Sequence, residues 1–113
     1  MQFTKLEIWQ RSRKLSIAVY RYSKKISDYG FRDQITRCSL SVPSNIAEGL
    51  EKDYIKEKIR FLTISKGSLG ELYTQVDIGV EIGYIEKDTG IEWMAESRAL
   101  AKMIGGLIKS LRK

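Results

Sequence analysis

The only proline of this 113-residue chain, Pro43, lies inside an apolar pattern with helical spacing. The apolar positions recur every three or four residues on both sides of it, at Phe31, Ile35, Cys38, Val42 and Ile46. Proline removes one helical hydrogen bond and its ring displaces the preceding turn, so a helix that continues through proline bends there. Because the phase of the pattern survives Pro43, the sequence predicts one kinked helix that ends near Gly49.

Three more segments carry apolar residues at helical spacing, with short breaks between them. They predict a first helix over about 6–26, a third over about 54–83 and a fourth over about 93–111. The breaks are predicted at 27–30, where Gly30 is a candidate left-handed cap, and at 86–90, which is typical of a turn. Four helices with short connections indicate one all-α domain over residues 1–113, an antiparallel up-down four-helix bundle.

Composition is that of a soluble globular protein, since 42% of the residues are hydrophobic and 30% are charged. There is no apolar run of about 18 residues, so no membrane-spanning helix is expected. The stretch before the first helix lacks the apolar core of a signal peptide. The one cysteine, Cys38, has no partner for an internal disulfide. These features predict a cytoplasmic protein.

The net charge of +6 is concentrated near the N-terminus. Residues 1–25 hold seven basic side chains and one acidic side chain, whereas the rest of the chain holds thirteen of each. A basic helix predicts an anionic partner such as RNA; the alternative is a solvated face that keeps the protein in solution. The candidate nucleic-acid contacts are Arg11, Arg13, Lys14, Arg21, Lys24 and Lys25. No helix-turn-helix, ribonucleoprotein or zinc signature accompanies them, which favours recognition of backbone or shape.

Two helices have apolar residues outside the stripe that faces the core. On the first helix these residues project away from the stripe, and on the fourth the apolar face is wider than one core requires. The pattern predicts a homo-oligomer that uses both helices, and scattered surface apolar residues are the alternative. The candidate interface residues are Trp9, Ile17, Tyr20, Trp93, Leu100 and Leu107.

Polar residues at helical spacing interrupt the second and third helices. They are Gln34, Arg37, Ser41, Asn45, Glu48, Ser68 and Glu71. If the two polar stripes face each other, Arg37 is expected to neutralise Glu48 or Glu71. Asn45 is expected to bond the backbone that Pro43 frees. The set then fixes the register of the two helices, and a small-molecule site at Arg37, Asn45, Glu48 and Glu71 is the alternative.

Catalysis is not predicted. The chain has no histidine, which excludes the Glu-x-x-His pairs of di-iron bundles and any nucleophile activated by histidine. Cys38 has no second metal ligand near it in the pattern and is interpreted as a small core residue. Glu48 and Glu71 are the one conceivable pair of carboxylates for acid–base chemistry. We therefore expect no cofactor, no metal site and no enzymatic activity.

Three segments resemble a known family. They are Lys-Leu-Glu-Ile-Trp-Gln at 5–10, Gln-Ile-Thr-Arg at 34–37 followed by Ser-Val-Pro-Ser-Asn-Ile-Ala-Glu-Gly at 41–49, and Gly-Ser-Leu-Gly-Glu-Leu at 67–72. Over nearly its whole length the chain resembles the bacterial four-helix bundle proteins encoded in intervening sequences of 23S ribosomal RNA genes, sometimes labelled S23 ribosomal proteins. The resemblance implies a bundle that assembles as a homopentameric ring or cone.

More distantly, the chain is similar to the accessory variability protein of diversity-generating retroelements, a basic pentamer that acts with a reverse transcriptase and RNA. The leading hypothesis is therefore a cytoplasmic homo-oligomeric bundle that binds structured RNA or another polyanion through the basic face of the first helix. The alternative is a scaffold for protein assembly with no role in nucleic-acid binding.

Overall fold

Short connections place each helix antiparallel to the next one. The computed structural model describes residues 1–113. After a 3₁₀ turn at Gln2–Lys5 come α1 at Glu7–Ser23, α2 at Tyr29–Leu50, α3 at Ile55–Glu81 and α4 at Lys87–Leu111. Each helix packs against its neighbours along the chain, and α1 also contacts α4, in a bundle that measures 44 × 21 × 21 Å. The prediction of an all-α, up-down four-helix bundle is confirmed.

One apolar core runs between the four helices. Its fully buried members come from every helix and include Val19, Ile35, Val42, Ile46, Leu62, Leu69, Leu72, Val76, Leu100 and Ile104. Burial of a side chain of this kind stabilises the fold by about 1.5–3 kcal/mol. Trp93 and Leu100 were predicted to contact a second protomer, but they are only 5% and 0% exposed. That prediction is wrong for both, because their own chain already covers them.

Helix α2 continues through Pro43, so the prediction of one helix rather than two is confirmed. In a regular helix the missing N–H of Pro43 would bond the carbonyl of Ser39, and the clash of the ring falls on the same carbonyl. The side chain of Asn45 does bond backbone nearby, but it donates to the carbonyl of Ser41 at 2.8 Å. The prediction that Asn45 serves the carbonyl freed by proline is therefore wrong.

Two predicted breaks differ from the structure. Gly30 is not a left-handed cap, because it lies in the first turn of α2, where the carboxylate of Asp28 accepts the N–H of Phe31 at 3.1 Å. The 86–90 segment is not a turn, since α4 begins at Lys87. The left-handed residue of this connection is instead Gly83, with φ of 83°.

The four neighbouring helix pairs are not equally close. The α2–α3 and α3–α4 pairs pack along most of their length, whereas α1 and α4 touch much less. Grooves therefore open on both sides of α1, one toward α2 and one toward α4. No helix is both long enough and apolar enough to cross a membrane.

Candidate nucleic-acid interface

The outer face of α1 carries cations that have no partner in the protein. The buried side of this helix is a row of apolar residues and serines, so the long charged side chains fall on the opposite side. Four of the predicted contacts are exposed and form no ion pair within 4.0 Å and no side-chain hydrogen bond: Arg13, Lys14, Arg21 and Lys24. Their charge is available to an external anion.

Arg11 differs from these four, because it is held by a carboxylate of α4. Its Nε donates to Oε2 of Glu96 at 2.9 Å and its Nη2 donates to the other oxygen, which makes a bidentate pair. This hydrogen bond and the positive charge of Arg11 lower the pKa of Glu96. Of the six predicted contacts, Arg11 is thus the one most clearly engaged inside the molecule.

Lys25 is partly engaged as well. Its Nζ lies 3.8 Å from Oε1 of Glu86, in the connection between α3 and α4, and 4.2 Å from the centre of the Tyr22 ring. Both partners are accessible, and an exposed ion pair of this length contributes little to stability. Lys25 can therefore exchange Glu86 for a stronger anion at small cost.

The groove between α1 and α2 has a volume of about 520 Å³. It combines aromatic and aliphatic walls with basic residues and hydroxyl groups. The residues that line it include Ile17, Tyr20, Arg21, Ser23, Lys24, Tyr29, Arg32 and Leu40. Ser23 is only 1% exposed, and its Oγ has no hydrogen-bond partner. Ile17 and Tyr20, two of the predicted oligomer contacts, lie here rather than beside α4.

The groove between α1 and α4 has a similar volume, about 540 Å³, but a different lining. Three alanines, Ala18, Ala95 and Ala99, keep its walls low, and the Arg11–Glu96 pair crosses it. Leu107 and Trp9 are each partly buried against the core of their own chain, and the Trp9 ring also meets Phe3 edge to face, with 5.5 Å between ring centres.

The polar stripes of α2 and α3 face each other only in part. Ser41 and Ser68 share a hydrogen bond across the two helices, and Ser65 donates to the carbonyl of Val42 at 2.9 Å. The thiol of Cys38 contacts the Ser68 carbonyl at 3.2 Å and Oε1 of Glu71 at 3.3 Å. Burial, reinforced by Glu71, raises the pKa of this thiol to about 12. These contacts join the two helices at the proline turn.

The remaining residues of the predicted polar set do not join this cluster. Arg37 is exposed and pairs with Asp33 on its own helix, with 3.4 Å between Nε and Oδ1. Glu48 likewise pairs with Lys52, at 3.3 Å. The predicted pairing of Arg37 with Glu48 or Glu71 is therefore wrong, because Asp33 on α2 and Lys52, just after α2 ends, pair with the charges of Arg37 and Glu48 instead.

Gln34 is exposed at the start of α2 and makes no side-chain hydrogen bond. Glu48 and Glu71 contact different partners, Lys52 and Cys38, so the structure does not join them as an acid–base pair. No group of three or more histidine, cysteine, aspartate or glutamate side chains is placed to hold a metal ion.

A second charge pattern escaped the sequence analysis. Residues 55–66 and 98–113 carry nine basic side chains and one acidic, while residues 67–97 carry one basic and seven acidic. Because α3 and α4 are antiparallel neighbours, these segments give the pair one basic end and one acidic end. The segregation of basic and acidic residues is visible when charge is counted in short windows, but the net charge of residues 26–113 taken together is zero.

Sequence comparison identifies the family. Residues 4–106 match the 23S rRNA-intervening sequence protein family. The chain belongs to this family. No curated protein matches it. Its fold is similar to that of a crystal structure of a protein of unknown function from the S23 ribosomal protein family of Bacteroides thetaiotaomicron VPI-5482. The TM-score is 0.85 with 18% identity, over 90% of this chain and 98% of that one.

Proposed function

We propose that this family member binds structured RNA through the outer face of α1. The observation that carries the proposal is the set of four exposed cations, Arg13, Lys14, Arg21 and Lys24, none of which lies within 4.0 Å of a carboxylate oxygen. Phosphate oxygens are the complementary partner, because each contact releases a condensed counterion from the nucleic acid. The absence of a base-reading motif favours recognition of the phosphate backbone.

The basic end of the α3–α4 pair is the competing surface, and three of its nine cations are engaged within the protein. Arg60 pairs with Glu57, with 3.0 Å between Nε and Oε2. Lys58 donates to the carbonyl of Leu50 at 3.2 Å, and Arg98 donates to the hydroxyl of Tyr73 at 3.1 Å. The other six form no ion pair and no side-chain hydrogen bond: Lys56, Lys66, Lys102, Lys109, Arg112 and Lys113. Unpaired charge alone therefore does not separate the two surfaces. The α1 face is favoured because Arg21 and Lys24 line a groove together with the exposed rings of Tyr20 and Tyr29.

Two charge-matched variants test the proposal. One replaces Arg13, Lys14, Arg21 and Lys24 with Glu, and the other replaces Lys56, Lys102, Lys109 and Arg112 with Glu. Both change the net charge equally, and all eight positions are exposed. In a binding titration with a labelled RNA hairpin we expect the α1 variant to lose affinity by about a hundredfold or more and the α3–α4 variant to lose much less. Equal losses, or a greater loss in the second variant, would contradict the α1 site.

Self-assembly is the second candidate function, and the α1–α4 groove favours it. The low alanine walls admit a helix from a second copy of the chain, and the partly buried Leu107 lies on the same helix. We expect a homo-oligomer, which the resemblance noted above suggests is pentameric. Ala99→Glu should lower the mass measured by native mass spectrometry, whereas Ser44→Glu on exposed α2 surface should not. An unchanged assembly in Ala99→Glu would exclude this groove as the interface.

A further inference from the structure

The α1–α2 groove brings exposed aromatic rings next to cations. Of these, Arg21 and Lys24 have no partner, whereas Arg32 donates to the carbonyl of Ile26 at 3.4 Å and lies 5.4 Å from the centre of the Tyr29 ring. Tyr20 is 43% exposed and Tyr29 is 70% exposed, and both line the groove together with Arg21, Lys24 and Arg32. Exposed aromatic rings beside a basic track are the arrangement on which unpaired bases stack while phosphates follow the cations. The groove volume of about 520 Å³ lies in the range of clefts that hold small ligands, about 300–1,000 Å³.

The groove also contains an unsatisfied buried hydroxyl. Ser23 is 1% exposed, lines the groove, and its Oγ has no hydrogen-bond partner. Ser12, also on α1, is just as buried, yet its Oγ donates to the carbonyl of Trp9 at 3.0 Å. A buried hydroxyl without a hydrogen-bond partner destabilises the free protein, so a ligand that supplies this hydrogen bond binds more tightly.

We propose that this groove binds an unpaired nucleotide of RNA. The base stacks on Tyr20 or, displacing Arg32, on Tyr29, and the adjoining phosphate contacts the basic rim. The polar edge of the base bonds Ser23 Oγ after that enclosed side chain rotates toward the groove. The proposal rests on the proposed function and deepens it, because it makes the α1 face selective for RNA that has unpaired bases. Stacking of this kind is tolerant of base identity, since every base has a π-face.

A second copy related by a two-fold axis is a less suitable occupant, and a copy that docks a different surface, as in a ring, is tested by the assembly mass below. A two-fold contact through this groove brings the same surface of both copies together, and therefore opposes Arg21 and Lys24 to their own counterparts. The one carboxylate lining the groove, Asp33, already pairs with Arg37. Nothing in the groove neutralises the added repulsion, whereas an RNA phosphate does.

Fluorescence anisotropy with two RNAs tests the proposal. One is a labelled oligouridine, which has no secondary structure, and the other is a blunt RNA duplex of the same length. The variant Tyr20→Leu/Tyr29→Leu keeps apolar bulk but removes both rings, and Tyr54→Leu, at a tyrosine 76% exposed outside the groove, is the matched control. We expect the double variant to lose about tenfold in affinity for oligouridine while its duplex affinity and the Tyr54→Leu affinities stay unchanged.

Unchanged oligouridine affinity in the double variant, or an equal loss on the duplex, would overturn the nucleotide site and leave the proposed function standing. A wild-type protein that binds neither RNA overturns both. A drop in assembly mass in the double variant overturns the site in favour of a second copy.

Ser23→Ala is an independent check. We expect several-fold weaker oligouridine binding without any loss in thermal stability, because the hydroxyl it removes makes no bond in the free protein. Wild-type oligouridine affinity in this variant would remove Ser23 from the site.

Discussion

Each side of α1 carries an arginine, and the two arginines differ in whether another helix supplies a carboxylate partner. Toward α4, Arg11 meets Glu96 and becomes part of the packing between helices. Toward α2, Arg21 lines a groove whose only carboxylate, Asp33, is already taken by Arg37. The sequence of α1 alone does not determine which arginine is unpaired. That depends on whether the neighbouring helix places an available carboxylate within reach of the guanidinium.

The reason lies in the charge segregation of α4. Its first half belongs to the acidic segment 67–97, and Glu96 stands at the point where that segment faces the N-terminal half of α1. The surface of α2 next to the other groove has no comparable run. The account therefore predicts that matching substitutions on the two sides have opposite consequences, one for stability and the other for RNA binding.

When the two arginines are substituted separately, the largest expected effect is a loss of folding stability in Arg11→Met. The change leaves Glu96, whose side chain is 28% exposed, without its bidentate partner. Because the pair is between the buried and exposed extremes, we expect the free energy of unfolding in urea to fall by about 1.5 kcal/mol. Arg21→Met should change it by less than about 0.5 kcal/mol.

The double variant Arg11→Met/Glu96→Met isolates the interaction between the two side chains from their other contacts. It should recover part of the loss, since no unpaired carboxylate remains between the helices. A loss equal to the sum of the two single changes would mean that the two side chains do not interact.

A smaller effect is expected on RNA binding. Here Arg21→Met should have the larger effect and Arg11→Met the smaller one. Each cation that neutralises a phosphate contributes about one unit to the salt dependence of the binding constant. Arg21→Met should therefore reduce the slope of log Kobs against log salt by about one, and Arg11→Met should leave it unchanged. The reverse result would show that Arg11 leaves Glu96 when RNA binds.

The smallest expected effect is a change at low pH in the stability difference between wild type and Arg11→Met. Arg11 lowers the pKa of Glu96 in the folded protein, so the folded state binds a proton there less readily than the unfolded chain. The pair's contribution is fully present above the ordinary glutamate pKa of 4.5 and is lost as the pH falls through the lowered folded value. The stability gap between wild type and Arg11→Met should therefore narrow below pH 4.5. A constant gap would contradict the pairing.

The fold was predictable because its signal is repeated. Apolar residues at intervals of three and four recur through four segments, and one ambiguous position changes little. The boundaries were harder, because they depend on single residues. Gly30 suggested a left-handed cap, but Asp28 begins α2 before it, and the turn residue is Gly83.

The candidate site was only partly predictable. Composition located the cations of α1, but which of them are neutralised depends on contacts distant in sequence, such as Arg11 with Glu96. The α2–α3 polar set shows the same limit. Helical spacing put Arg37 and Glu48 on one stripe, yet each is captured by a neighbour one turn away. The α1–α2 groove, with its unpartnered Ser23, has no signature in the sequence.

The most direct test of the account is the salt dependence of hairpin RNA binding between about 50 and 200 mM salt. With four phosphate contacts on α1, wild-type protein should show a slope of log Kobs against log salt of about −3 to −4. The variant with Arg13, Lys14, Arg21 and Lys24 replaced by Glu should show almost no binding. A wild-type slope near zero, or a steep slope that this variant retains, would contradict an RNA-binding face on α1.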